Sequence, residues 1–156
     1  MDEVRHLIAA DSALSTNLAL LRGITGFGEV SATILLAELL NVEPRGSPDI
    51  AEFTPNALAA FVGLSPSEHS SGTSVRRPGK ISRIGTERLR STLYMCALSA
   101  KRTDKPLAVF VTRMAAAGKL AKVILIAVAR KLLVYAHAVI RTQKAFQSSP
   151  DALFSD

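Results

Sequence analysis

The residues with the clearest chemical potential lie between Ser70 and Arg90, where hydroxyl groups stand beside a dense run of cations. The one acid in this stretch, Glu87, is opposed by the basic residues Arg76, Arg77, Lys80, Arg83, Arg88 and Arg90. Cations neutralise phosphate groups, and glycine lets backbone N–H groups come close to phosphate oxygens. The stretch therefore favours binding of a phosphodiester backbone, with a merely solvated basic loop as the alternative.

Ser71 precedes Gly72 in this stretch, so its hydroxyl could stand on an exposed turn as a phosphate ligand or as a nucleophile. A nucleophilic serine needs an adjacent base or another source of activation. His69 and Glu68 are close in sequence, but adjacency alone does not establish hydrogen-bond geometry. The residues by themselves leave both roles open.

A second candidate is the segment from Leu21 to Gly28, in which a glycine-rich hairpin separates two helical patterns. Gly26 and Gly28 allow positive φ and let the N–H groups of the hairpin approach a phosphate. A helix-hairpin-helix motif binds the DNA backbone in this way without reading the bases. Glu29 places a negative charge at the binding end of the hairpin. A purely structural α-hairpin is therefore the alternative.

The elements that must position these residues are helices, because apolar residues recur at three- and four-residue spacing along most of the chain. We expect a mainly α fold in one domain over residues 1–146. Its parts are a helix-hairpin-helix at about 13–40, a long basic Gly/Ser loop at about 63–85, a helical core at about 86–146 and a flexible tail at 147–156. Within it, Ser12 or Ser15 is expected to cap the second helix, and Ser47 to cap a helix that runs from Pro48 through about Phe61.

The charge is unevenly distributed along the 156 residues, whose net charge is +6. Residues 1–56 carry three Lys/Arg and eight Asp/Glu, whereas residues 57–156 carry sixteen and five. Such asymmetry indicates one face for a polyanion and another for a different role. Aromatic residues make up only 5% of the chain and Trp is absent, which disfavours a single-strand binder built on rows of stacking rings.

Several classes of protein are disfavoured by composition. The lone Cys96 lies in an apolar helical run and is expected in the core, and it permits neither a disulfide framework nor a cysteine-based zinc site within one chain. His6, His69 and His137 show no metal-ligand spacing. No signal peptide is evident. The most apolar run, Val123–Ala129, is too short to span a membrane, so we expect a cytoplasmic protein without a membrane partner.

An ordered set of further motifs accompanies the hairpin and the serine loop: Ala57–Pro66, His69–Arg76, Ile81–Gly85, Leu89–Tyr94, and Gly118-Lys119 followed by Ala129–Leu133. With these motifs, the chain from Leu7 to about Lys144 resembles the C-terminal half of bacterial insertion-sequence transposases of the 110/116/902 class, relatives of the Piv DNA invertase. Two positions depart from the family pattern. Thr25 replaces the usual proline before the hairpin glycine, and Thr86 replaces the usual Asn or Asp.

The resemblance implies DNA strand exchange with a serine joined transiently to DNA. It places that role on Ser71, with Ser70 and Ser74 as alternatives, and it assigns the hairpin role to Gly26 and Gly28. Full-length members add an N-terminal RuvC-like domain with metal-binding acids, use a structured guide RNA and are expected to be homo-oligomers. We therefore expect a family fragment that binds no cofactor itself, is inactive alone, and needs Mg²⁺ only together with the missing domain.

Two other functions remain open from the sequence. One is a non-catalytic helix-hairpin-helix module that binds DNA or structured RNA. The other is a helical oligomerisation domain whose basic loop is incidental.

Overall fold

The computed structural model describes residues 2–40, 53–64, 66–67, 80–81 and 87–147. These residues form seven helices: α1 (Asp2–Ala10), α2 (Ser12–Arg22), α3 (Glu29–Leu40), α4 (Pro55–Val62), α5 (Glu87–Thr103), α6 (Lys105–Ala116) and α7 (Ala121–Thr142). Two short strands, β1 (Pro66–Ser67) and β2 (Lys80–Ile81), pair in antiparallel fashion. The prediction of a mainly α fold is confirmed.

Aspartate side chains cap the starts of α2 and α6. The Asp11 carboxylate accepts hydrogen bonds from the N–H groups of Ala13 and Leu14 at 2.8 and 3.1 Å, so Asp11 caps α2. Ser12 and Ser15, the predicted caps, instead lie inside that helix. Asp104 caps α6 in the same way and is followed by Pro at the second helical position. Each such cap contributes about 1 kcal/mol to helix stability.

Helix α4 begins later than the sequence pattern predicted. Thr54 caps it through the N–H of Ala57, Pro55 occupies its first turn, and Gly63 ends it with a left-handed φ of 76°. The predicted start at Ser47-Pro48 lies outside the described residues, but a continuous helix from there to Phe61 is wrong because Phe53 and Thr54 are not helical. Thr54-Pro55 thus uses the capping chemistry that was predicted for Ser47-Pro48, seven residues further along the chain.

The core is built around α5 and α7, which pack along each other while α3 and α6 contact α5 from other sides. Several small side chains on these two helices are fully buried, namely Ala97, Ala100, Ala129 and Ala136. Leucines at three- and four-residue spacing fill the remaining space. Cys96 is buried among them, as predicted.

Helix α7 is long and apolar enough to cross a membrane, and it alone is so among the described helices. Most of that stretch is buried inside the fold, against α2, α4, α5 and α6. A core helix passes the same test of length and composition, so the burial accounts for the hydropathy of α7.

Candidate nucleic-acid interface

Gly26 lies in the turn between α2 and α3, with a φ of 97° that L-amino acids rarely adopt. A Cβ atom at this position would stand 2.7 Å from the Cys96 carbonyl oxygen and 2.8 Å from the Ala100 Cβ. The absence of a side chain therefore lets the turn pack directly against α5. Close packing against α5 therefore requires glycine at position 26. The predicted contact of Gly26 with phosphate remains a prediction.

Gly28 stands immediately before α3, and a Cβ there would meet nothing within 4 Å. Its N–H donates to the Ser31 Oγ at 2.9 Å, and the Ser31 hydroxyl lies 3.0 Å from the Gly28 carbonyl oxygen. This hydrogen bond is the backward half of a capping box. The Gly28 N–H is thus already paired within the protein, while the open side of the residue faces solvent.

The two predicted cations of α5 differ in environment. Arg88 is exposed, whereas Arg90 is partly buried and its Nη1 donates to the Val62 carbonyl oxygen at 3.4 Å. Val62 is the last residue of α4, where a cation also interacts favourably with the negative end of the helix dipole. Arg90 therefore ties α4 to α5, which is a structural role beside the predicted contact with nucleic acid.

The serine loop has both of its ends at one place on the fold. Pro66 pairs with Ile81 and Ser67 pairs with Lys80, so the chain leaves and returns through adjacent backbone segments. The side chains of most predicted loop residues lie outside the described part of the chain, and these are Ser70, Ser71, Ser74, Arg76, Arg77 and Arg83. For Lys80 the structure describes the backbone alone. The proposed roles of these residues remain predictions.

An open groove with a volume of 590 Å³ lies beside the base of this loop. It is bounded by the end of α4, the first half of α5 and the first half of α7, with lining residues Leu64, Glu87, Arg90, Ser91, Tyr94, Met95, Lys122, Ile126 and Ala129. Leu64 and Glu87, which flank the loop in sequence, both line this groove. The sequence reasoning missed Tyr94, Met95 and Lys122 as site residues. One feature of the sequence could have indicated the site: Met95 is apolar but lies outside the buried stripe of α5.

Charge is separated between the two ends of the described chain. Residues 87–147 contain twelve Lys/Arg and two Asp/Glu, whereas residues 2–40 contain two and five. Asp104 is buried, which leaves Glu87 as the exposed carboxylate among residues 87–147. The described residues that follow the serine loop are therefore strongly basic, whereas residues 2–40 carry more acids than bases.

Some cations of the basic end are held by neighbouring side chains. The Arg130 Nη2 donates to the Asn56 Oδ1 at 2.7 Å, which links α7 to α4. The Lys131 Nζ lies 4.9 Å and the Arg113 Cζ 5.7 Å from the centre of the Phe110 ring. Both separations are within cation–π range. These contacts fix the directions of α6 and α7 side chains on the basic surface.

Burial raises the pKa of two side chains, Cys96 and Tyr135. Desolvation raises the pKa of the Cys96 thiol, although a hydrogen bond with Ser31 acts in the opposite direction. Desolvation, together with the charge of Asp104, raises the pKa of Tyr135 to about 12. Both groups therefore stay protonated at neutral pH, and neither is prepared to act as a nucleophile or base. Among the residues that the structure describes, no three His, Cys, Asp or Glu side chains group as metal ligands would.

The chain belongs to the Transposase IS116/IS110/IS902 family, whose model matches residues 18–112. It is 35% identical over 145 residues to the pilin gene-inverting protein of Moraxella lacunata. It is 34% identical over 146 residues to the protein of the same name from Moraxella bovis. Both alignments cover 92% of this chain but 43% of the relative, so the chain spans less than half the length of these relatives. The resemblance stated from the motifs is confirmed.

Proposed function

We propose that this chain is the DNA-binding, serine-bearing part of a transposase or site-specific recombinase. The observation that carries the proposal is the strongly basic character of residues 87–147, which follow the serine loop in the chain, together with the pairing of the two ends of that loop at Pro66–Ser67 and Lys80–Ile81. Cations in such number attract a phosphodiester backbone and release its counterions on binding. Membership of a transposase family, and similarity to proteins named for gene inversion, make DNA the favoured polyanion.

Ser71 is proposed as the residue that joins DNA during strand exchange. Its Oγ would form a bond to phosphorus while a deoxyribose oxygen leaves, and the hydroxyl of the incoming strand would then reverse the step and restore the serine. Such a two-step exchange conserves the number of phosphodiester bonds. The surrounding loop cations would hold the scissile phosphate and stabilise the charge that develops on it.

The remaining components belong to the longer members of the family. A RuvC-like domain would supply the acids that bind Mg²⁺, whose chemistry is to polarise the phosphate and activate a nucleophile. A structured guide RNA and further copies of the chain are proposed partners, and the cytoplasm is the proposed location. The isolated chain is proposed to bind DNA without cleaving it.

The structure gives less support to a non-catalytic helix-hairpin-helix module. Gly26 packs against α5, and the Gly28 N–H is paired with Ser31. Glu29 adds a carboxylate to the first turn of α3, where a phosphate would otherwise bind. We therefore place the main DNA contact at the loop and α5 rather than at the hairpin.

The test is a mobility-shift titration of duplex DNA over a range of salt concentrations. A variant with Ala at Arg76, Arg77, Lys80 and Arg83 is compared with a control that removes four exposed cations elsewhere, namely Arg102, Lys105, Arg141 and Lys144. Each lost phosphate contact should reduce the slope of log K against log salt by about 1, so the loop variant should lose about 4. The control should lose clearly less, because its cations lie away from the loop base. Equal losses in both variants, or no binding by the parent chain, would contradict the proposal.

A further inference from the structure

The groove at the base of the serine loop has a predominantly apolar floor that DNA backbone binding does not explain. Leu64 and Ala129 form buried parts of this floor, Ile126 lies beside them, and Tyr94 and Met95 line the side formed by α5. Met95 is 63% exposed although it is apolar. The volume of 590 Å³ lies within the range of about 300–1,000 Å³ that is typical of small-ligand sites.

One edge of the groove favours a phosphate. Lys122 lines this edge in the first turn of α7, its side chain is exposed, and Lys119 is exposed just before the helix. Leu120 occupies the N-cap position before α7, and it offers no side-chain acceptor to the N–H groups of the first turn. An uncapped helix start and an adjacent lysine together form a suitable environment for one phosphate beside an apolar groove.

The α5 side of the groove carries both a cation and hydrogen-bond acceptors, because Arg90 lines it together with Glu87 and Ser91. Glu87 is exposed there, and the Ser91 hydroxyl donates to the Arg88 carbonyl oxygen at 3.0 Å, which leaves the Ser91 oxygen able to accept. A carboxylate beside an apolar floor is poorly placed for the phosphate backbone but well placed for the amino group of a nucleobase. The groove therefore offers Lys122 for a phosphate at the start of α7 and acceptors for a base on α5, where the Arg90 guanidinium also donates to the Val62 carbonyl oxygen.

We propose that this groove binds one unpaired nucleotide of a DNA strand, with its base against Tyr94 and Met95 and its phosphate at the start of α7 near Lys122. The proposal rests on the proposed function, because strand exchange must separate base pairs beside the point of cleavage. The scarcity of aromatic residues argues against a row of stacked bases, but a single base needs only one ring. An apolar peptide segment would use the floor equally well, but it would leave the phosphate-binding edge unexplained.

The test compares two short duplexes that differ only in one central unpaired 2-aminopurine. Stacking of one base on an aromatic side chain should make the full chain bind the bulged duplex about tenfold more tightly than the paired duplex. The 2-aminopurine fluorescence should fall on binding because the base stacks on Tyr94. Tyr94→Phe should keep this preference and Tyr94→Leu should lose it, while both variants bind paired DNA as the parent does.

A second pair of variants keeps the test independent of any folding defect in Tyr94→Leu. Met95→Glu places a carboxylate in the groove, whereas Val109→Glu makes the same change of charge on α6 at a site that is also 63% exposed. Met95→Glu should abolish the preference for the bulged duplex, and Val109→Glu should leave it intact. Circular dichroism and the unfolding midpoint of each variant establish that the fold is retained.

The outcomes separate this inference from the proposed function. Equal affinity of the parent chain for bulged and paired duplexes would overturn the nucleotide groove and leave DNA binding intact. A preference that survives in both Tyr94→Leu and Met95→Glu would overturn its assignment to this groove. Failure to bind either duplex would overturn both the groove and the proposed function.

Discussion

Replacement of Gly26 by alanine should destabilise the protein by about 2–5 kcal/mol. The positive φ of 97° costs an L-amino acid about 1–2 kcal/mol. The added Cβ would also stand 2.7 Å from a backbone oxygen of α5, which must shift to make room. Overpacking of this kind costs about 1–3 kcal/mol. Such a loss is a large fraction of the about 5–15 kcal/mol that stabilises an ordinary domain.

Two other glycines separate the contributions of strain and contact. Gly118 has a φ of 73° but open space around its Cα, so Gly118→Ala should cost only the backbone strain of about 1–2 kcal/mol. Gly28 has open space and no positive φ, so Gly28→Ala should change stability by less than about 1 kcal/mol. The excess cost of Gly26→Ala over Gly118→Ala therefore measures the contact between the hairpin turn and α5.

Urea unfolding followed by circular dichroism gives these differences directly, provided that the dependence on denaturant is unchanged among the variants. If Gly26→Ala costs no more than Gly118→Ala, the close packing of the hairpin turn against α5 is refuted. A destabilised Gly26 variant also cannot report on phosphate binding, because loss of fold would mimic loss of contact. Gly28 is the hairpin residue at which DNA binding can be tested without that ambiguity.

Three further predictions concern buried side chains. In a spectrophotometric titration Tyr135 should ionise at about pH 12. Its contribution to the free energy of unfolding should be complete below the unfolded-state pKa of about 10 and be lost as the pH rises to 12, and a Tyr135 midpoint at about 10 would contradict this. Asp104→Ala should cost about 1–2 kcal/mol in urea unfolding because it removes the cap on the Leu107 N–H at 2.9 Å, whereas Asp104→Asn keeps an acceptor oxygen and should cost less. Cys96, whose pKa is raised by burial, should react slowly with a thiol reagent in the native protein and rapidly in urea, and rapid native labelling would show that it is accessible.

Periodicity predicted the central helices well because their apolar residues are spaced for one buried face. Leu89, Leu93, Cys96 and Ala97 recur at three- and four-residue spacing along α5, and all are buried. Helix starts were less predictable, since Asp, Ser and Thr all cap helices and the pattern alone does not choose among neighbours. Asp11 caps α2 in place of Ser12 or Ser15 for this reason.

The candidate site could be predicted only in part. Charge asymmetry and the resemblance identified the basic loop, since both are properties of the sequence. The groove depends on three helices that are distant along the chain, so the proximity of Tyr94 to Lys122 could not be inferred from spacing. The structural roles of Gly26 and Arg90 could not be inferred from the sequence either. Their partners, Cys96 and Val62, are about 70 and 28 residues away along the chain.

The most direct measurement of the central claim is detection of a covalent protein–DNA adduct formed by this chain when it is joined to the metal-binding segment of a longer family member. Labelled DNA should remain attached under denaturing conditions, and mass spectrometry should locate the bond on Ser71. Ser71→Ala should abolish both adduct and strand exchange while DNA binding survives, because the loop cations remain. Strand exchange at the parent rate by the Ser71→Ala protein would contradict the claim and turn attention to Ser70 or Ser74.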